Sequence, residues 1–180
     1  MKTLLTLILS SLLFLSISLP DSTAQSSETD HNFREQFIAH FQYASRVLDL
    51  AKAMPADTYS WRPGEGVMSV EEVYTHIARY NYLYAATSLD IPAPDDIDME
   101  NMESISGKEN VVEVLEASID HLMEAVKQMP NAKLNEETEL YGRTVNGRGV
   151  LMQHITHMSE HVGQSIAYAR MNGIVPPWSR

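Results

Sequence analysis

Four histidines have the type and spacing that could bind a metal ion. His154, His157 and His161 fall within a span of eight residues, and His76 stands far upstream. On a helix, residues 157 and 161 are one turn apart, so both imidazoles project from the same side. Two neutral imidazole nitrogens at this pitch can bind one divalent ion at about 2.0–2.1 Å. The pair therefore predicts two ligands of a metal site, and a third must come from elsewhere.

His76 is the best third ligand, because it lies at the edge of the apolar face of a predicted helix. The alternative is a chance pair on a solvated surface, since the histidine stripe sits about 100° from the aliphatic stripe of its own helix. Spacing alone leaves both interpretations open. Surface or packing roles are expected for the three remaining histidines, His31, His40 and His121.

The composition excludes several classes of site and partner. The 180 residues contain no Cys, which rules out disulfides, thiolate zinc sites, iron–sulfur clusters and Cys nucleophiles. Lys and Arg number 13 against 24 Asp and Glu, a formal net charge of −11. Such a chain is unsuited to binding the phosphate backbone of nucleic acids or anionic lipid.

Residues 1–24 have the layout of a secretory signal peptide. Lys2 supplies a positive start, residues 4–19 are almost continuously apolar or hydroxylated, and Ser22-Thr23-Ala24 places small residues before a cut at Gln25. The alternative is an uncleaved membrane anchor, for which the apolar run is slightly short. We predict export to the periplasm or the medium, with no membrane attachment after cleavage, and a single domain over residues 25–180.

Four segments carry hydrophobic residues at three- and four-residue spacing, which predicts amphipathic helices. The first helix is predicted to end at Met54-Pro55. The second begins with a capping box at Ser69–Glu72, and the third begins with another at Ser106–Glu109. The fourth covers about 147–172. Residues 131–146 are expected to form a polar connection. No convincing strand pattern is present, so we predict an all-α four-helix bundle.

The connection at residues 91–105 is long enough to change the order of the bundle. Fifteen residues could extend over about 50 Å, whereas the second helix, at about 20 residues, spans only about 30 Å. The connection can therefore cross the length of the bundle and leave the second and third helices parallel. The sequence permits this up-down-down-up order but does not require it.

The chain resembles the DinB family of DinB/YfiT-like metalloenzymes from about Phe33 to Trp178. The resemblance rests on Ser69, His76 and three motifs, which are Tyr59-Ser60-Trp61-Arg62-Pro63, His157-Met158-Ser159-Glu160-His161-Val162-Gly163-Gln164 and Gly173-Ile174-Val175-Pro176-Pro177. It implies a four-helix bundle with a crossover, often dimeric, and a divalent metal ion held by His76, His157 and His161. His154 lies outside this triad. Gln164 could orient a ligand by hydrogen bonding.

Three functions are compatible with these residues. The first is a metal-dependent enzyme acting on an unknown small molecule, because three neutral histidines leave positions open on the ion. The resemblance implies thiol S-transferase-like chemistry, and hydrolysis is the other enzymatic option. The second is a non-catalytic exported protein that binds a metal or small ligand, and the third is a structural bundle with ordinary surface histidines.

Neither the metal nor the catalytic residues can be assigned from the sequence. Zn, Ni, Mn or Fe could each occupy an imidazole site. No catalytic acid or base is predicted, although four residues are near enough in sequence to be considered, namely Tyr80, Tyr84, His154 and Glu160. Tyrosines at helical spacing on the second helix (Tyr74, Tyr80, Tyr82 and Tyr84) are expected in the core or a homodimer interface more than in a pocket.

Overall fold

The computed structural model describes residues 22–180, with side chains from residue 27 onward. Residues 1–21, most of the predicted signal peptide, lie outside the described residues. The described elements are, in chain order, α1 (Ser22–Ala44), α2 (Val47–Ala53), α3 (Val70–Ser88), α4 (Lys108–Gln128), α5 (Asn131–Asn135), β1 (Glu137–Leu140), β2 (Arg143–Asn146) and α6 (Gly147–Met171). Short 3₁₀ turns occupy Ala56–Thr58, Met102–Ser104 and Pro177–Ser179.

Contacts between α3 and α4 show that these helices run in the same direction. Near their starts, the backbone N–H of Gly107 donates to a carboxylate oxygen of Glu71 at 3.2 Å. About three turns further along both helices, the side-chain amide of Asn81 donates to the Ser118 hydroxyl at 3.1 Å. Positions rise together along both helices, so the connection between α3 and α4 crosses the length of the bundle.

Helix α6 runs antiparallel to α3. Tyr168, near the end of α6, donates to the carbonyl of Met68, which precedes α3, at 3.1 Å. His154, in the first half of α6, packs on Tyr84 near the end of α3, with ring centroids 5.1 Å apart.

Helices α1 and α6 run in the same direction. Asp30, in the first half of α1, pairs with Arg148 in the first turn of α6. Arg46, just after α1, lies over the ring of Trp178, which follows α6, at 4.6 Å. The order is therefore up, down, down, up, and the predicted four-helix bundle with a long crossover is confirmed.

The first predicted helix is split into α1 and α2 at Ser45-Arg46. The Ser45 hydroxyl donates to the carbonyl of Phe41 at 2.8 Å, so the side chain competes for a backbone acceptor of the last turn. The predicted stop before Pro55 agrees with the end of α2 at Ala53.

Of the two predicted capping boxes, only the first forms. Ser69 accepts a hydrogen bond from the backbone N–H of Glu72 at 3.3 Å, and the Glu72 carboxylate accepts one from the backbone N–H of Ser69 at 2.6 Å. The box predicted at Ser106–Glu109 is wrong, because α4 begins at Lys108 after Gly107, whose φ is 85°. Glycine adopts this left-handed conformation readily, and it directs the Gly107 N–H to Glu71 of α3.

The polar connection predicted over residues 131–146 is wrong in detail, because it contains α5 and a β-hairpin. Strands β1 and β2 pair antiparallel, from Glu137 opposite Asn146 to Leu140 opposite Arg143. Tyr141 and Gly142 form the two-residue turn with φ of 53° and 69°, as in a type I′ turn. Strands of four residues are too short to show a clear alternation in sequence.

The apolar core lies between the long helices and holds the bundle together. Its fully buried members include Phe41, Leu50, Ile77, Leu115 and Leu151. Over the described part of the chain, none of the helices combines the length and apolar character needed to cross a membrane.

Candidate metal centre

The three histidines His76, His157 and His161 meet at the seam between α3 and α6. One ring nitrogen from each lies within 4.8 Å of the corresponding atoms of the other two. The ring centroids are 5.1 Å apart for His76 and His157, 4.9 Å for His76 and His161, and 4.6 Å for His157 and His161. These three side chains are referred to below as the triad. They could hold a metal ion, as their residue types and separations allow.

The antiparallel packing of α3 on α6 explains this convergence. His157 and His161 are one helical turn apart, so they project together toward α3. His76 occupies the facing position of α3 and contacts both rings. His157 is buried, at 8% exposed, whereas His76 and His161 are partly exposed, so the triad lies at the boundary between the core and the surface.

Hydrogen bonds hold the rings of His76 and His161 in one orientation. The Nδ1 atom of His76 lies 2.8 Å from a carboxylate oxygen of Glu103, and Nδ1 of His161 lies 2.8 Å from the side-chain oxygen of Gln164. Both oxygens are acceptors, so Nδ1 of each ring carries the hydrogen, and in the neutral form of the ring Nε2 has the free lone pair. This is the tautomer in which Nε2 binds a metal.

Gln164 is itself fixed by a chain of hydrogen bonds, as its predicted orienting role requires. Its amide nitrogen donates to the Tyr168 hydroxyl at 2.9 Å, and that hydroxyl donates to the carbonyl of Met68 at 3.1 Å. The His161 ring is thereby tied to the loop before α3.

Glu103 is a site residue that sequence reasoning did not identify. It lies in the Met102–Ser104 turn of the crossover, far from His76 in the chain. Arg79 shares the same carboxylate, with Nη1 3.7 Å from Oε1 of Glu103, and its Nε donates to the carbonyl of Met99 at 3.0 Å. The crossover contains many acidic residues, and no local pattern distinguishes this one.

The described structure keeps two of the triad rings neutral. Burial, followed by the charges of His161 and His76, lowers the pKa of His157 to about 3. Burial is also the largest cause that lowers the pKa of His161. Neutral imidazole is the form that donates a lone pair to a metal ion.

Two tyrosines of α3 extend the triad into a continuous row of rings. The ring of Tyr80 lies 4.5 Å from His76 and 4.7 Å from His157. Tyr84 follows at 5.2 Å from Tyr80 and 5.7 Å from His157. The hydroxyl of Tyr84 is hydrogen-bonded to that of Tyr141 in the hairpin turn. Tyr74 and Tyr82 are buried in the core, and so is Tyr84, whereas Tyr80 is partly buried against it, so the expected core position is confirmed for three of the four tyrosines.

His154 lies beside the triad without joining it. It is 1% exposed, and among the described residues neither of its ring nitrogens has a hydrogen-bond partner. Burial, with a smaller effect of the charge of His157, lowers the pKa of His154 to about 3. Glu160, another residue considered from the sequence, is exposed on α6.

The remaining histidines lie away from the triad. His31 is exposed and pairs with Glu35 at 3.1 Å, and His121 packs on Tyr82. His40 lines two adjoining grooves of about 310 and 330 Å³ between α1 and α6. None of the triad residues lines either groove, and neither groove supplies chemistry of the kind found at the triad.

Comparison with known proteins agrees with this architecture. The model of the DinB family matches residues 26–180. The uncharacterised protein YjoA of Bacillus subtilis is 26% identical over 147 residues, which cover 77% of this chain and 90% of YjoA. The crystal structure of that DinB-like protein superposes with a TM-score of 0.63 at 25% identity, covering 78% of this chain and 93% of the other.

A DinB-like protein from Bacillus cereus has the same fold. Its structure gives a TM-score of 0.70 at 16% identity, covering 79% of this chain and 95% of the other. The match of the family model over nearly the whole described chain shows that this protein belongs to the DinB family.

Proposed function

We propose that the protein is a divalent-metal-dependent enzyme acting on a small molecule, with His76, His157 and His161 as the metal ligands. The observation that carries this proposal is the convergence of three ring nitrogens within 4.8 Å of one another. Metal-binding histidines usually donate their other ring N–H to a nearby acceptor, and Glu103 and Gln164 are such acceptors for two of these rings.

The donor set fits a divalent ion. Nε2 of His157 is buried and has no hydrogen-bond partner among the described residues, so it is available to a ligand inside the triad. The low pKa of His157 keeps this ring neutral throughout the physiological range. Zn, Ni, Mn and Fe all accept imidazole ligands, so the triad supports a divalent ion without selecting one of them.

Three protein ligands leave positions on an ion for a reactant, which is typical of catalytic rather than structural sites. When bound, the ion supplies Lewis acidity that lowers the pKa of a water molecule or a thiol to near neutrality. The rings of Tyr80 and Tyr84 pack against His157 and shield this side of the site from water. Hydrolysis and thiol S-transfer are the two reactions that such a site favours.

Metal or ligand binding without catalysis is a second candidate function. Within the described residues, Glu103 is the carboxylate that is hydrogen-bonded to the triad, and His76 already occupies it. The described residues thus show no second carboxylate hydrogen-bonded to the triad that could act as a general base. This observation favours the non-catalytic alternative. An activity assay on the metal-loaded protein distinguishes it from the enzyme.

Metal content after purification without a histidine tag tests the proposal. The unmodified protein should contain about one divalent ion per chain by elemental analysis, and His157→Ala should contain far less. His40→Ala is a matched control, because His40 is exposed on α1. Equal metal contents in all three proteins would contradict the proposed site. Assays of ester hydrolysis and of thiol transfer on the metal-loaded protein then separate catalysis from binding.

A further inference from the structure

Tyr141 occupies a backbone position that its residue type disfavours. Its φ is 53°, in the left-handed region, at the first central position of the hairpin turn. Gly, Asn and Asp are the usual residues there, and a bulky side chain is an outlier. Tyr141 is 60% exposed, so burial of apolar surface compensates little for this conformation. Residues that break a local rule without such compensation are expected at functional sites.

The Tyr141 hydroxyl reaches back into the site from the hairpin tip. It is hydrogen-bonded to the hydroxyl of Tyr84, a residue that is 2% exposed. The two rings pack edge to face, with their centroids 5.9 Å apart. The hairpin is fixed in this position, because the Ser88 hydroxyl of α3 donates to the carbonyl of Glu139 at 2.8 Å. Tyr141 is thus held at one end of the ring row whose other end is the triad.

The hydroxyl of Tyr141 has hydrogen-bonding capacity left for another molecule. Its bond to the Tyr84 hydroxyl uses one position, and either of the two hydroxyls can be the donor. A tyrosine hydroxyl has one hydrogen and two lone pairs, so the largely exposed Tyr141 can take a second partner in either case. It donates to that partner when Tyr84 donates to it, and it accepts when it donates to Tyr84.

His154 provides an independent observation at the same end of the row. It is almost fully buried against Tyr84, and its two ring nitrogens have no partner among the described residues. Buried polar atoms are nearly always paired in proteins, so unpaired ones call for an explanation. A polar ligand group near Tyr84 and Tyr141 would supply one.

We propose that Tyr141 determines ligand specificity by forming a hydrogen bond with a polar group at the far end of a small molecule whose near end is held at the triad. This inference rests on the proposed function, because the near end needs the metal ion. The molecule would lie across Tyr80, whose ring is between the triad and Tyr84. His76 and Tyr84 are about 12 Å apart along the axis of α3, so the molecule has to be extended.

The neighbours of the far group decide its chemical class. The polar groups that contact this end of the row are the hydroxyls of Tyr84 and Tyr141 and the unpaired ring nitrogens of His154. Hydroxyls and an imidazole form hydrogen bonds with neutral polar groups, whereas they offer no fixed positive charge to a carboxylate. The class is therefore an extended molecule with a metal-binding group at one end and a neutral polar group, such as an amide, at the other.

Paired hydroxamates of increasing chain length, loaded onto the Co²⁺ form of the protein, test this assignment. One member of each pair ends in a primary amide and the other in an alkyl group of the same shape. Dissociation constants are read from the change in the visible absorption of Co²⁺. At the chain length that reaches Tyr141, the amide member should bind more tightly, and Tyr141→Phe should weaken its binding about threefold to tenfold while leaving the alkyl member unchanged.

Tyr43→Phe is the matched control, because Tyr43 is a similarly exposed tyrosine, at 64%, on α1. It should bind both members as the unmodified protein does. This inference would be overturned if the unmodified protein bound both members equally, or if Tyr141→Phe kept the preference for the amide. Neither result would contradict the metal site. A protein that takes up no Co²⁺ would overturn the proposed function, and this inference with it.

Discussion

The Nδ1 atom of His76 lies 2.8 Å from a carboxylate oxygen of Glu103, a residue of the crossover between α3 and α4. The carboxylate accepts the Nδ1 hydrogen, so in the neutral form of the His76 ring the free lone pair is on Nε2. The crossover therefore does more than join two parallel helices, because it supplies the group that sets the tautomer of one triad ring.

Glu103→Ala is expected to weaken metal binding even though Glu103 is not in the triad. Loss of the carboxylate frees the His76 ring to rotate and to change tautomer, and removal of such a partner typically costs about tenfold to a hundredfold in metal affinity. Competition with a chelator measures the affinity. Glu100→Ala, an exposed neighbour in the same crossover, should leave it unchanged, and equal losses in the two variants would argue against a specific role.

Single alanine replacements of His76, His157 and His161 should each lower metal affinity about tenfold or more, since each would remove a proposed ligand. His154→Ala should cost much less affinity, because its ring packs on Tyr84 outside the triad. Calorimetric titration of the four variants gives the pattern. Equal small losses in all four would indicate adventitious binding, and a silent His76→Ala would show that the partner on α3 was wrongly chosen.

The metal-free protein should lose stability as the pH falls from about 6.5 to about 3. The pKa values of His154 and His157 are lowered to about 3 in the folded chain, whereas an unfolded histidine titrates near 6.5. Between these values the unfolded chain binds more protons, so the free energy of unfolding decreases as pH is lowered. Melting temperature measured against pH should show this decrease.

His154→Leu removes one of these two groups at similar volume and should flatten the dependence of the melting temperature on pH. The exposed His31→Leu is its control and should leave the slope unchanged. A slope that is the same in His154→Leu as in the unmodified protein would contradict the assigned burial effect.

Export is predicted from Ser22-Thr23-Ala24 and the apolar run before it. Mass spectrometry of the protein from its native host should find an N-terminus at Gln25. Ala24→Arg should block cleavage, because the position before the cut requires a small residue. A cytoplasmic species that retains Met1 would contradict the prediction.

Features that depend on residues close together in the chain could be predicted from the sequence. The four amphipathic segments, the capping box at Ser69–Glu72 and the shared face of His157 and His161 all follow from helical periodicity. The choice of His76 relied on its place at the edge of an apolar face and on the resemblance to the DinB family. Apart from the resemblance, these signals are local, because each depends on the spacing of residues within a single helix or its first turn.

Features that depend on packing between distant segments were decided only by the tertiary structure. Glu103 reaches His76 because the crossover folds along α3, and Tyr141 reaches Tyr84 because a short hairpin docks at the end of the same helix. The α4 start at Lys108 rather than in a capping box also follows from the contact of Gly107 with Glu71. The sequence shows no periodic pattern for such pairs. Contacts between residues far apart in the chain depend on how the helices and loops pack, and not on the spacing of residues along one helix.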